Sequence, residues 1–213
     1  MSETPNDYIW HSDARNPMHV IGFTCELAKD VDAFFGNLQL YRRGEMAARK
    51  DLPDRMWIGR DASRSSKALK TLPETFVAGS YFVVSQNVAE VLQRFDLGTS
   101  ALVPVALFKK GNEEPFDGSY CIVHLTEKKA AFEPDQSRNF RNPLYEEDTY
   151  LGSVSPTRSR DDDIVCNATA LYGVDLWTDP LLLTSLMLSD PLYQALAVEN
   201  LLTNAKTLRC KIV

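Results

Sequence analysis

Apolar and polar positions alternate in several stretches of this chain, and each stretch predicts an element. Ile21, Phe23, Cys25 and Leu27 interleave with Gly22, Thr24 and Glu26, the period of two that marks a half-buried strand. Tyr8-Ile9-Trp10 reads as a shorter strand. Asp30 to Gly36 holds Val31, Phe34 and Phe35, a helical turn expected to stop at Gly36. Tyr81 to Val84 is a buried-type strand, followed by Ser85 as an N-cap, because its hydroxyl can accept a bond from a first-turn amide. Val88, Val91, Leu92 and Phe95 then fall at i, i+3, i+4 and i+7, one apolar helix face. Gly98 supplies the stop.

Ala101 to Phe108 returns as a strand, and its Pro104 predicts an edge position or a bulge. Gly111 to Gly118 is a turn-rich acidic loop, and Tyr120 to Leu125 is a further strand. Lys128 to Asp163 is broken by Pro134, Pro143 and Pro156. Leu181 to Leu188 is apolar again. Ser189-Asp190-Pro191 opens a helix expected to end at Asn204, and Leu208, Cys210 and Ile212 alternate in a last strand. One plan occurs twice: strand, serine cap, helix, strand, around Ser85 and around Ser189. These patterns predict an α+β fold: a mixed, largely antiparallel sheet with a few helices packed on it, built on two strand–helix–strand units.

Composition is that of an ordinary globular chain: 213 residues, 44 % hydrophobic and 24 % charged. This argues against intrinsic disorder. The net charge of −6 disfavours a general nucleic-acid binder. The acidity is uneven, however. Residues 1–41 carry −4, residues 42–70 carry +5 and residues 71–213 carry −7. The 42–70 segment, polar apart from Met56-Trp57-Ile58, is expected to be irregular, within an N-terminal region 1–75 that precedes an α+β domain over 76–213. Three compact acidic groups punctuate the rest: Glu113-Glu114, Glu146-Glu147-Asp148 and Asp161-Asp162-Asp163. Their plain reading is solvated loop charge. Their sharper reading is an electrostatic footprint for a basic protein partner, since like-sign clusters steer encounter. Tyr145 and Tyr150 flank the middle group and add aromatic anchors of the kind interfaces favour.

No apolar run approaches a membrane span, and Met1 to Asp7 does not read as a secretory leader. Cys25, Cys121, Cys166 and Cys210 are far apart and form no CxxC pair, so they read as reduced core thiols of a cytoplasmic protein and predict no metal site. No phosphate-cradling glycine motif occurs, and neither a cofactor nor a small-molecule substrate is expected. Among His11, His19 and His124, the last reads as structural. A Cys25–His124 nucleophile and base would be the basis of an enzyme.

The ordered set is more specific than its parts. It runs YFVVSxxVAxVLxxF, a proline-containing strand, YCIVHL, then FEPDQS (Phe132 to Ser137). LYGVDLWTDP, LMLSDPLYQAL and a short final strand complete it. Over residues 76–213 this resembles a family of bacterial immunity proteins of polymorphic toxin systems. That resemblance implies a non-enzymatic protein that neutralises a cognate toxin domain by stoichiometric binding, and it assigns no catalytic residue. The family's glycine near the last helix–strand junction is replaced here by Leu202-Thr203-Asn204-Ala205. On that reading the toxin-binding candidates are Glu113, Glu114, Tyr145, Glu146, Glu147, Asp148, Tyr150, Asp161, Asp162 and Asp163. The alternatives are a small cytoplasmic hydrolase or transferase, and a nucleic-acid module using residues 42–70.

Overall fold

A computed structural model describes residues 8–13, 20–45, 51–141, 153–154, 158–202 and 206–213. Its strands are β1 (Ile9–Asp13), β2 (Val20–Ile21), β3 (Phe23–Cys25), β4 (Arg55–Ile58), β5 (Thr75–Ala78), β6 (Tyr81–Ser85), β7 (Ala101–Phe108) and β8 (Tyr120–His124). They continue with β9 (Phe140–Arg141), β10 (Ser153–Val154), β11 (Val165–Cys166), β12 (Leu176–Asp179), β13 (Leu182–Ser189) and β14 (Thr207–Ile212). The helices are α1 (Val31–Arg42), α2 (Arg64–Lys67), α3 (Gln86–Leu92) and α4 (Asp190–Val198). The class is α+β with mixed, mostly antiparallel pairing, as the patterns predict.

The larger sheet runs in the order β2-β5-β6-β8-β7-β4-β3. Its two outermost strands are consecutive in the chain, separated only by Gly22. One extended segment therefore pairs with β5 through its first half and with β4 through its second, and the sheet closes into a barrel. The seam is sealed by Gly79 N–H donating to Ile21 O (3.0 Å) and Gly59 N–H donating to Gly22 O (2.8 Å). Closure removes exposed strand edges. Gly22 is required there, because a Cβ would lie 2.7 Å from the Cβ of Ala62. The inward residues obey the period of two on every stave. Ile21, Phe23, Cys25, Met56, Ile58, Phe76, Val83, Val103, Val105 and Ile122 form one buried cluster.

The second sheet runs β11-β14-β1-β13-β12. β1 lies at its centre, antiparallel to both β13 and β14. A division at residues 75 and 76 would thus cut β5 and part β1 from its partners. Between barrel and sheet, α3 and α4 bury Val88, Val91, Leu92, Leu192 and Leu196 against Val84, Cys121, Val123, Leu176 and Leu188. The sheet's other face buries Ile9, Trp177, Met187 and Cys210 against Phe132, Ile164 and Cys166. Trp177 is therefore core.

The twofold plan is present and starts one strand earlier than its sequence signature. The hairpin β5–β6 leads through Ser85 into α3, and the hairpin β12–β13 leads through Ser189 into α4. Each serine caps its helix, accepting from Val88 N–H (3.3 Å) and Leu192 N–H (3.4 Å). Each also turns back to the acid that precedes its hairpin. Ser85 N–H donates to Glu74 O and Ser189 N–H to Asp175 O. Their hydroxyls donate to the Glu74 and Asp175 carboxylates. The shared acid escaped the pattern because the hairpins differ in length, with 11 residues from acid to serine in one and 14 in the other.

Four expectations need correction. α1 runs through Gly36 to Arg42, because Phe34, Leu38 and Tyr41 pack on the barrel while Gly36 faces open space. Segment 42–70 is not irregular throughout: β4 is a barrel stave with Met56 and Ile58 buried inside. β7 is flanked by β8 and β4, so it is not an edge strand. Pro104 is tolerated because β4 begins opposite Ala106, which leaves the proline's half of β7 paired on one side only. α4 ends at Val198, with Asn200 taking the left-handed conformation (φ 58°). The expected terminator Asn204 lies outside the described residues.

Candidate functional site on the barrel wall

β4 puts Met56 and Ile58 into the barrel, so its alternate residues Arg55 and Trp57 project outward. Trp57 lies between Thr24 of β3 and Phe108 of β7 and is half-buried. The Arg55 guanidinium lies 3.7 Å over the Phe108 ring. It donates from Nε to Asn112 Oδ1 (2.8 Å) and from Nη2 to Asn112 O (2.7 Å). These bonds pin the β7–β8 loop against β4, where Gly111 (φ 97°) and Asn112 (φ 62°) make its left-handed turn.

The result is an open cleft of about 810 Å³. Its floor is the Gly22–Thr24 seam and its wall is Trp57. One bank is Gly59–Ala62 and the other is Lys110–Asn112. Arg60 and Lys110 are exposed and make no ion pair among the described residues. Three glycines and a half-buried indole leave the cleft wide, with Arg60 and Lys110 on opposite banks and the exposed Asp61 beside Arg60. Tryptophan and arginine together are the side chains that most often dominate a protein interface.

The predicted acidic groups are distributed differently. Glu113 and Glu114 stand on the loop that forms one bank, exposed, with Glu114 paired to Lys109. Asp161, Asp162 and Asp163 precede β11 of the other sheet; Asp161 is exposed, Asp162 half-buried and Asp163 buried, and each bonds its own chain. Asp161 accepts from Arg209 N–H (2.9 Å) and Asp162 takes the Arg209 guanidinium on both oxygens (3.1 and 2.8 Å). Asp163 is 1 % exposed. It accepts from Arg138 Nε (2.6 Å), Asn139 Nδ2 (2.8 Å) and Arg160 N–H (2.8 Å). Burial would raise its pKa, but these three donors outweigh it and hold the carboxyl below its usual range. A partner could not reach Asp163 without opening this network, which corrects its expected place on a solvated loop. Tyr145, Glu146, Glu147, Asp148 and Tyr150 lie outside the described residues.

Other chemistry-bearing groups sit elsewhere. Cys25 and His124 are both buried and no hydrogen bond joins them. Burial pushes the Cys25 thiol up and the His124 imidazole down, away from a thiolate–imidazolium pair. All four cysteines are free and buried. Lys129 lies 3.6 Å over the Trp177 ring and donates to Val174 O (2.8 Å). Burial lowers its pKa to about 8 against the pull of Asp175, Asp96 and Glu127. Among the described residues no group of three His, Cys, Asp or Glu side chains could hold a metal ion, and no helix is long and apolar enough to cross a membrane.

Sequence reasoning missed Trp57, Arg60 and Lys110 as a unit. The only trace was an apolar triplet within a basic segment, because the loop that completes the cleft lies about fifty residues away. No family model matches the chain, and no curated protein matches it.

Proposed function

We propose that this is a cytoplasmic immunity protein that neutralises a cognate bacterial toxin domain by stoichiometric binding, and that the barrel wall around Trp57 is the contact face. The motif set over residues 76–213 supplies the class of function. The single observation that carries the choice of face is Trp57. It is a half-exposed indole on a barrel stave in a wide cleft, which Arg60 and Lys110 also line. A rigid aromatic gains contact area at low entropic cost, and the cations beside it add steering. Glu113 and Glu114 stand at the same rim and supply charges of opposite sign for selectivity.

Co-expression with the toxin domain encoded beside the gene tests both parts. The wild-type protein is expected to rescue growth and to co-purify one to one. Trp57→Ala is expected to weaken binding by about thirtyfold or more, the loss of an interface hot spot of about 2 kcal/mol. Absence of a complex with the wild type would end the immunity reading. A wild-type complex that Trp57→Ala leaves unchanged would move the face elsewhere.

A further inference from the structure

The antiparallel pairing of β6 with β8 runs through Ser85↔Tyr120, Val84↔Cys121 and Val83↔Ile122, then stops. The next pair would be Phe82 with Val123. Instead the Tyr41 hydroxyl is wedged there, accepting from Phe82 N–H (3.0 Å) and donating to Val123 O (2.8 Å). The last turn of α1 thus props two staves apart. Arg42, the next residue, reaches over the gap. It lines a small cavity between the barrel and the second sheet, walled by Val77, Phe82, Val123, Leu125 and Leu186.

The guanidinium there is underused. Its Nε is buried with no partner, and Nη2 makes one long bond, 3.4 Å, to Ser80 Oγ. No carboxylate pairs with it among the described residues. A guanidinium whose Nε–H is buried without a partner beside apolar side chains is costly. It is also the group that best matches a carboxylate through two parallel bonds. Gly44 closes the cavity beside it. Its φ is 61°, and a Cβ would sit 2.9 Å from Leu125 O, so no side chain can fill the space from that position.

We infer that this cavity binds a small carboxylate with a short aliphatic tail. The carboxylate would take Arg42 Nε and an Nη, and the tail would lie on Val77, Val123 and Leu186. Arg42 is the one charged side chain among the lining residues, with the exposed Lys128 beside Gly44. This suits a monoanion and disfavours phosphate, whose second charge would be desolvated without compensation. The cavity volume of about 70 Å³ limits the tail to a few carbons.

Butyrate titrated into the full chain, followed by calorimetry and by ligand-observed NMR, tests the site. Saturable one-to-one binding is expected, with 1-butanol and phosphate failing to compete. Arg42→Gln should weaken butyrate at least tenfold, and Arg42→Lys should recover only part of that loss. Leu186→Trp, which fills the cavity and leaves the guanidinium in place, should abolish binding and so guards against misfolding of the arginine variants. Unsaturable binding, equal binding by 1-butanol, or unchanged affinity in both Arg42→Gln and Leu186→Trp would overturn the assignment.

Discussion

Mild acid should destabilise this protein chiefly through His11, with the buried His124, whose pKa is also pushed down, adding to the effect. His11 is on β1, the central strand of the second sheet, opposite Met187 and Leu208. It is 1 % exposed, and neither ring nitrogen has a hydrogen-bond partner. Burial, aided by the nearby charge of Lys206, lowers its pKa from 6.5 to about 4. Asp161 and Asp163 pull the other way, but their oxygens are already engaged by Arg209, Arg138, Asn139 and Arg160. The folded state therefore holds His11 neutral, while the unfolded chain takes up a proton near pH 6.5. Stability is complete above that value and falls as the pH drops from 6.5 toward 4. At about 1.4 kcal/mol per tenfold change in proton affinity, the whole effect is about 3 kcal/mol, of which about 2 kcal/mol falls between pH 7 and pH 5. With a urea m-value of about 2–3 kcal/mol/M, the unfolding midpoint should drop by roughly 0.7–1 M over that interval. The assay is urea denaturation by circular dichroism at pH 7, 6 and 5, on wild type and on His11→Leu and His11→Gln. The leucine variant removes two unpaired buried nitrogens and should be near neutral at pH 7. Both variants should lose the larger part of the pH dependence, and the remainder belongs to His124. If they lose the same midpoint as wild type between pH 7 and pH 5, the buried imidazole is not the cause.

Further consequences follow from the fold. Ser85→Ala and Ser189→Ala each remove a helix cap and a bond to the preceding acid, and each should cost about 1–2 kcal/mol in chemical denaturation. Asp163→Asn removes the charge and replaces one of the two acceptor oxygens that Arg138, Asn139 and the Arg160 amide share by a donor, and should cost roughly 2–4 kcal/mol at pH 7. Because the Asp163 pKa is held below 3.8, its contribution is full above that value and disappears as the pH falls through the lower, folded one, so the difference from wild type should shrink in strong acid. Gly79→Ala, at φ 62° with a Cβ 2.8 Å from Phe23 O, should lower stability by about 1–2 kcal/mol or more. Gly36→Ala, in the middle of α1 with nothing near its Cβ, should raise it by about 0.5–1 kcal/mol. Opposite signs in thermal melts would check both.

The local grammar of the chain was legible from residues alone, and the reason is that it acts over a few positions. Ser85 and Ser189 cap helices whose first amides are three residues on. Val88, Val91 and Leu92 meet on one face because the helix repeats every 3.6 residues. The half-buried strands alternate because their staves do. The α+β class followed from that grammar, as did the twofold strand–serine–helix plan.

What the tertiary structure decided depends on pairings between distant residues. Barrel closure at Gly22 requires β2 and β3 to find different partners, β5 and β4, and no local pattern records a choice of partner. β1 sits between β13 and β14 although its partners are 172 to 180 positions away in the one and 195 to 201 in the other. The same long-range assembly turned the charge clusters into different things. Asp162 and Asp163 are engaged by Arg209, Arg138 and Asn139, while Arg60 and Lys110, from separate loops, line one cleft with Trp57. Sequence by itself determined where the alternating strands lie and that Ser85 and Ser189 cap their helices. The fold decided which charges remain free to meet a partner, because neutralisation depends on neighbours in space.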